Sequence, residues 1–83
     1  MKFLEKEVME RDALNRIRWD STLNPQEFSV LYIDRFRGKL VEVPYNSIRV
    51  EGDYIRVGDS LIPAHRVRQI KQSGRIVWAK RRE

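Results

Sequence analysis

The sequence has no cysteine and a single histidine, His65, among its 83 residues. Without thiols there is no disulfide, no thiolate metal site and no cysteine nucleophile, a composition that suits a reducing compartment. One imidazole without cysteine falls short of an ordinary zinc site, and it cannot supply the paired histidines that many phosphodiesterases use. Glycine is scarce too: the four glycines stand singly at turn positions, so there is no Gly-rich phosphate loop. No apolar stretch approaches the ~20 residues of a membrane-spanning helix, and residues 1–11 are too charged for a secretory signal. The expectation is a cytoplasmic protein with no cofactor, no metal and no membrane partner.

What is present is charge, unevenly spread. Seventeen Lys plus Arg against twelve Asp plus Glu leave a net +5. Residues 1–12 hold four acids and three bases, whereas residues 63–83 hold seven bases and one acid. A basic C-terminal third favours a polyanion such as RNA, although +5 also serves simple solubility. A chain this short makes one small domain, burying only about 60–65% of the surface it exposes when unfolded.

Apolar periodicity gives the elements. Met9, Ala13 and Ile17 recur every four residues and Leu14 joins Ile17 at three, which predicts a helix over residues 2–18 that bends or restarts near Asp12. Short polar side chains at Asp20, Ser21 and Thr22 end it, and Asn24-Pro25 opens a single helical turn. From Phe28 the period becomes two: Phe28, Val30, Tyr32 and Phe36 on one face, Leu31 and Ile33 on the other, which predicts a central strand. Turns at Arg37-Gly38, Glu51-Gly52-Asp53, Gly58-Asp59 and Ser73-Gly74 separate further short strands. The pattern predicts an α+β fold: an N-terminal helix packed on a strongly bent antiparallel sheet, or a small partly open β-barrel, of five to six short strands. Val67 and Ile70, three apart, would face opposite ways in a regular strand; a bulge near Arg68 or a short helical turn would reconcile them. A faint internal echo, Val43-Pro44-Tyr45-Asn46-Ser47-Ile48-Arg49 against Ile62-Pro63-Ala64-His65-Arg66-Val67-Arg68, amounts to a repeated turn geometry and no more.

Candidate anion ligands are Arg16, Arg18, Arg35, His65, Arg66 and Arg68, because guanidinium and imidazole present fixed N–H donors to phosphate. Trp19, Tyr32, Tyr45 and Tyr54 are candidate stacking surfaces, each worth on the order of 1–3 kcal/mol per base when exposed. Asp34 beside Arg35 and Asp20 beside Arg18 are placed to hold guanidiniums in position. The plainer alternatives are that Trp19 plugs the helix against the sheet, that Trp78 is core, and that His65 is a hydrogen-bonded structural residue.

Three segments in order, Leu14-Asn15-Arg16-Ile17-Arg18-Trp19-Asp20, Tyr32-Ile33-Asp34-Arg35 and Ile62-Pro63-Ala64-His65-Arg66-Val67 with Val77-Trp78 closing, resemble the small, largely archaeal RNA cyclic-group end recognition domain family, formerly a family of unknown function. The resemblance covers residues 14–78, with residues 1–13 as a helical extension and 79–83 as a basic tail. It implies a non-enzymatic RNA-binding module for ends carrying a 2′,3′-cyclic phosphate, acting with RNA-end-processing or repair enzymes. On that reading Arg35 and Arg66 contact phosphate oxygens, His65 donates to phosphate or ribose, and Arg16 and Arg68 add cationic support. Asp20 and Asp34 orient these cations, and Trp19 or Tyr32 stacks the terminal base. Two alternatives stand beside it: a cyclic phosphodiesterase or nuclease using His65 as general base, and a basic protein-interaction module.

Overall fold

A helix, α1 (Glu10–Trp19), and seven strands follow one another along the chain: β1 (Phe28–Asp34), β2 (Lys39–Pro44), β3 (Ile48–Glu51), β4 (Tyr54–Val57), β5 (Ser60–Pro63), β6 (Val67–Gln72) and β7 (Arg75–Ala79). The structure is a computed structural model that describes residues 9–80; of the helix expected from residue 2, the portion before Met9 lies outside the described residues. Single 3-10 turns at Pro25–Glu27, Tyr45–Ser47 and Ala64–Arg66 lead into β1, β3 and β6.

The strands form two antiparallel sheets, one ordered β2-β1-β6-β7 and one ordered β3-β4-β5. The α+β class with an N-terminal helix is as expected, and β1 is an inner strand. The strand count is seven rather than five or six, and among the described residues the sheets do not close into a barrel. The reason lies in two prolines. Pro44 ends β2 and Pro63 ends β5, and a residue without an N–H cannot extend a ladder. Each proline is followed by a 3-10 turn that carries the chain into the other sheet, at Tyr45–Ser47 outward and at Ala64–Arg66 back. The internal echo in the sequence is therefore this pair of crossovers.

Helix α1 buries Ala13, Leu14 and Ile17 on one stripe. Glu10 and Asp12 in its first turn and Arg16 and Arg18 in its last complement the helix dipole. The stripe packs into a cluster with Phe28, Val30, Ile48, Ile55, Val67, Ile70 and Trp78, drawn from both sheets. Trp78 is thus core, while Trp19 is 71% exposed and plugs nothing. Tyr45 is also core: its hydroxyl donates to the Leu14 carbonyl at 2.8 Å, fixing the first crossover to the helix and removing Tyr45 as a stacking surface. In β6 the register to β1 slips between Leu31↔Gln69 and Tyr32↔Val67, leaving Arg68 as the extra residue of a bulge. That bulge turns both Val67 and Ile70 into the core, where neither is exposed.

Candidate nucleic-acid interface

The end of β1 is shaped by Asp34. Its Oδ1 accepts from the backbone N–H of Phe36 at 2.9 Å and of Arg37 at 3.2 Å. The loop closes where the Gly38 N–H donates to the Asp34 carbonyl at 2.6 Å, with Gly38 at φ 67°, a left-handed conformation that glycine adopts without strain. This Asx-type turn lifts residues 35–37 off the strand. Phe36, expected on the buried face of β1, is instead fully exposed at 101% because the strand stops two residues before it.

Beside this loop runs a groove of about 290 Å³, lined by Tyr32 through Phe36 of β1 and its loop, by Ser60, Leu61 and Ile62 of β5, and by Arg66 of the second crossover. Tyr32, Asp34, Arg35 and Arg66, expected to act together, do meet here. Tyr32 and Arg66 are half-buried and Arg35 is exposed. Asp34 has a different part from the one expected. It is spent on the loop, and its Oδ2 lies 3.8 Å from Arg37 Nε, so among the described residues it does not steady Arg35. Two apolar side chains not picked out beforehand, Phe36 and the 48%-exposed Leu61, border the same groove. Leu61 passed unnoticed as one of many alternating apolar residues. The clue to Phe36 was the Asp34-to-Gly38 spacing, which reads as a capped turn.

His65 and Arg68 lie elsewhere. Residues 65 and 66 are consecutive in a 3-10 turn, where successive side chains diverge by about 120°. Arg66 reaches the groove; His65 is exposed and does not line it. The backbone carbonyl of His65 accepts from Arg68 Nη1 at 2.9 Å and from Lys80 Nζ at 2.7 Å. Lys80 Nζ also pairs with the buried carboxylate of Glu10 at 2.6 Å. Burial opposes ionisation of Glu10, but the Lys80 hydrogen bond and the helix-terminal N–H, with the nearby charges of Lys80 and His65, hold its carboxyl below the ordinary glutamate value. Lys80 thus fastens the second crossover to the start of α1, while Arg68 braces the turn locally from β6. Among the described residues, no acid is hydrogen-bonded to the His65 ring.

The remaining expected residues gather at the end of α1. Arg16 Nε sits 3.3 Å from Asp20 Oδ2, so the guanidinium beside Asp20 is that of Arg16 rather than of its sequence neighbour Arg18. Asp20 chiefly caps the following turn, accepting from Thr22 N–H at 2.9 Å and Thr22 Oγ1 at 2.6 Å, which together hold its carboxyl below the ordinary aspartate value. Exposed Trp19 follows Arg18, which lines a second groove described below. None of Arg16, Trp19 and Asp20 lines the Arg35–Arg66 groove.

Residues 8–80 match the model of the MJ1316 RNA cyclic group end recognition domain. The chain belongs to this family. The match begins inside the segment assigned from sequence to an extension and includes Glu10, which the Lys80 ion pair ties to the end of β7. Among curated relatives, a UPF0248 protein of Metallosphaera sedula is 43% identical over 72 residues, spanning 84% of this chain and 90% of its own. A UPF0248 protein of Thermococcus sibiricus is 29% identical over 73 residues, spanning 86% and 84%. No solved structure matches the chain significantly. No described helix is long and apolar enough to cross a membrane.

Proposed function

We propose that the chain is a non-catalytic RNA-binding module that holds a terminus bearing a 2′,3′-cyclic phosphate in the groove between the β1 loop, β5 and the second crossover. The observation that carries this reading is the meeting of Arg35 and Arg66, far apart in sequence and free of ion pairs among the described residues, beside aromatic and aliphatic surface. A cyclic phosphate is a diester with one negative charge, whereas an opened terminal phosphate carries about −1.5 to −2 near neutral pH. Two guanidiniums, each able to present a paired N–H fork, suit two non-bridging oxygens. Leu61 offers an apolar wall to the ribose, and Phe36 or Tyr32 a stacking face for the terminal base.

The family description, RNA cyclic group end recognition, agrees with this chemistry. Catalysis is assigned to another protein: an end-sensing module of this kind acts with an RNA-end-processing or repair enzyme that supplies the reaction. His65, outside the groove, takes no part in binding the ring phosphate.

The test uses one short RNA prepared with a cyclic, an opened or a hydroxyl 3′ end. The cyclic form is expected to bind tightest and to remain unopened after prolonged incubation. With two phosphate contacts the log–log salt slope should be about −1.4. Equal affinity for all three ends removes end recognition. Opening of the ring by the pure protein restores the phosphodiesterase reading.

A further inference from the structure

A second groove, of about 490 Å³, lies at the opposite end of β1. It is lined by Arg18 from the end of α1, Pro25 just ahead of β1, and Tyr45, Asn46, Ile48, Arg49 and Val50 from the first crossover and β3. The ion-paired arginines, Arg11, Arg16, Arg37 and Arg56, have their partners in Asp53, Asp20, Asp34 and Glu51. Arg68 is bonded to a carbonyl. Of the arginines left without an ion pair or side-chain hydrogen bond among the described residues, Arg35 and Arg66 line the first groove and Arg18 and Arg49 line the second; Arg75 stands apart at the start of β7. Each groove also adjoins one of the two proline-led crossovers.

We infer that the second groove is a phosphate-backbone subsite for the same single-stranded RNA, engaging nucleotides upstream of the terminus. The chemistry is that of a polyanion track. Arg18 and Arg49 are both exposed, Ile48 and Val50 also line the groove, and the exposed Asn46 brings an amide able to meet a base edge or ribose hydroxyl. The four ion-paired arginines each have a neighbouring acid; Arg18 and Arg49 have no ion pair among the described residues, and Glu51, the acid within electrostatic reach of Arg49, is already bonded to Arg56, so this concavity favours an anionic ligand. Strand β1 sets the spacing. It begins three residues after Pro25 and its far end forms the first groove, and seven residues of strand rise about 20–23 Å. A single strand several nucleotides long would therefore be needed to occupy both sites.

This inference rests on the RNA-binding part of the proposed function, not on its end preference. Its experiment compares a dinucleotide and an RNA of about ten nucleotides, a length within the usual single-strand site size, both with cyclic ends. Each is measured against the wild-type protein and the Arg18→Ala/Arg49→Ala variant, with backbone amide shifts followed by NMR. The longer RNA is expected to shift Arg18, Asn46 and Arg49 as well as the first groove, while the dinucleotide leaves these three unmoved. The variant should bind the longer RNA about tenfold more weakly, with a salt slope shallower by about 1.4, and should bind the dinucleotide as the wild type does. Both arginines are exposed, so unchanged amide shifts elsewhere will confirm an intact fold. Equal affinity and slope of variant and wild type for the longer RNA overturn the subsite. Loss of end preference in the wild type, with the variant still weakened on the longer RNA, overturns end recognition and leaves the subsite standing.

Discussion

Arg66 and His65 are neighbours in one 3-10 turn and belong to opposite kinds of surface. On the Arg66 side, Arg35 and Arg66 have no carboxylate within ion-pair distance among the described residues and share a groove with exposed apolar side chains. On the His65 side, among the described residues, Arg68 is engaged with the His65 carbonyl and Lys80 with that carbonyl and Glu10. The two sides hold similar charge, but only one holds charge that is available. A count of arginines in the sequence cannot separate a binding cation from a fastening one, because the distinction lies in the partner.

If the comparison is right, the largest effects on RNA binding come from the Arg66 side. Arg66→Ala or Arg35→Ala each removes a charge-assisted contact, normally worth about 1.5–3 kcal/mol, so affinity for cyclic-ended RNA should fall roughly 10- to 100-fold. The melting temperature should stay nearly unchanged, and a large loss of stability with unaltered affinity would reverse the roles of the two sides. Lys80→Met sharpens the contrast from the other side, since it strands the buried Glu10 carboxylate and leaves the His65 carbonyl with one donor fewer. Stability should drop by about 1–3 kcal/mol, read by denaturant unfolding, while the folded fraction binds RNA within about threefold of wild type.

Acid should show the same fastening. The folded carboxyl of Glu10 is held below its unfolded value, so its contribution is fully present above about pH 4.5 and is lost as pH falls through the folded value. Melting temperatures followed downward from pH 6 should decline less steeply in Lys80→Met than in the wild type. Tyr45→Phe removes only the hydrogen bond to the Leu14 carbonyl, at a cost of about 1 kcal/mol. The smallest effect belongs to His65→Ala: an exposed side chain outside the groove should alter RNA affinity by less than about threefold. A tenfold loss there would mean that the imidazole takes part in binding.

Much of the backbone could be read from the residues. The alternation from Phe28, the glycine turns and the Ala13/Leu14/Ile17 stripe predicted elements that the structure contains, and of the two resolutions left open for the Val67–Ile70 conflict, a bulge or a helical turn, the structure has the bulge at Arg68. The division into two sheets was hidden, because it depends on where Pro44 and Pro63 interrupt pairing between strands that local periodicity cannot pair. In the site, family resemblance named Tyr32, Arg35 and Arg66, but that they line one groove was not legible, because it depends on how β1, β5 and the second crossover meet in space. Nor was the placement of His65, since rotation about a 3-10 turn decides which of two adjacent residues faces the groove. Phe36 was misplaced because strand periodicity was carried past Asp34, whose side chain ends the strand.

The most direct measurement is an NMR titration of the protein with a nucleoside 2′,3′-cyclic monophosphate. The account predicts that the largest amide shifts fall on Tyr32, Arg35, Phe36, Leu61 and Arg66, with His65 and Arg68 moving little beyond their proximity to Arg66. Shifts centred on His65, Arg68 and Lys80, with the groove residues still, would contradict it.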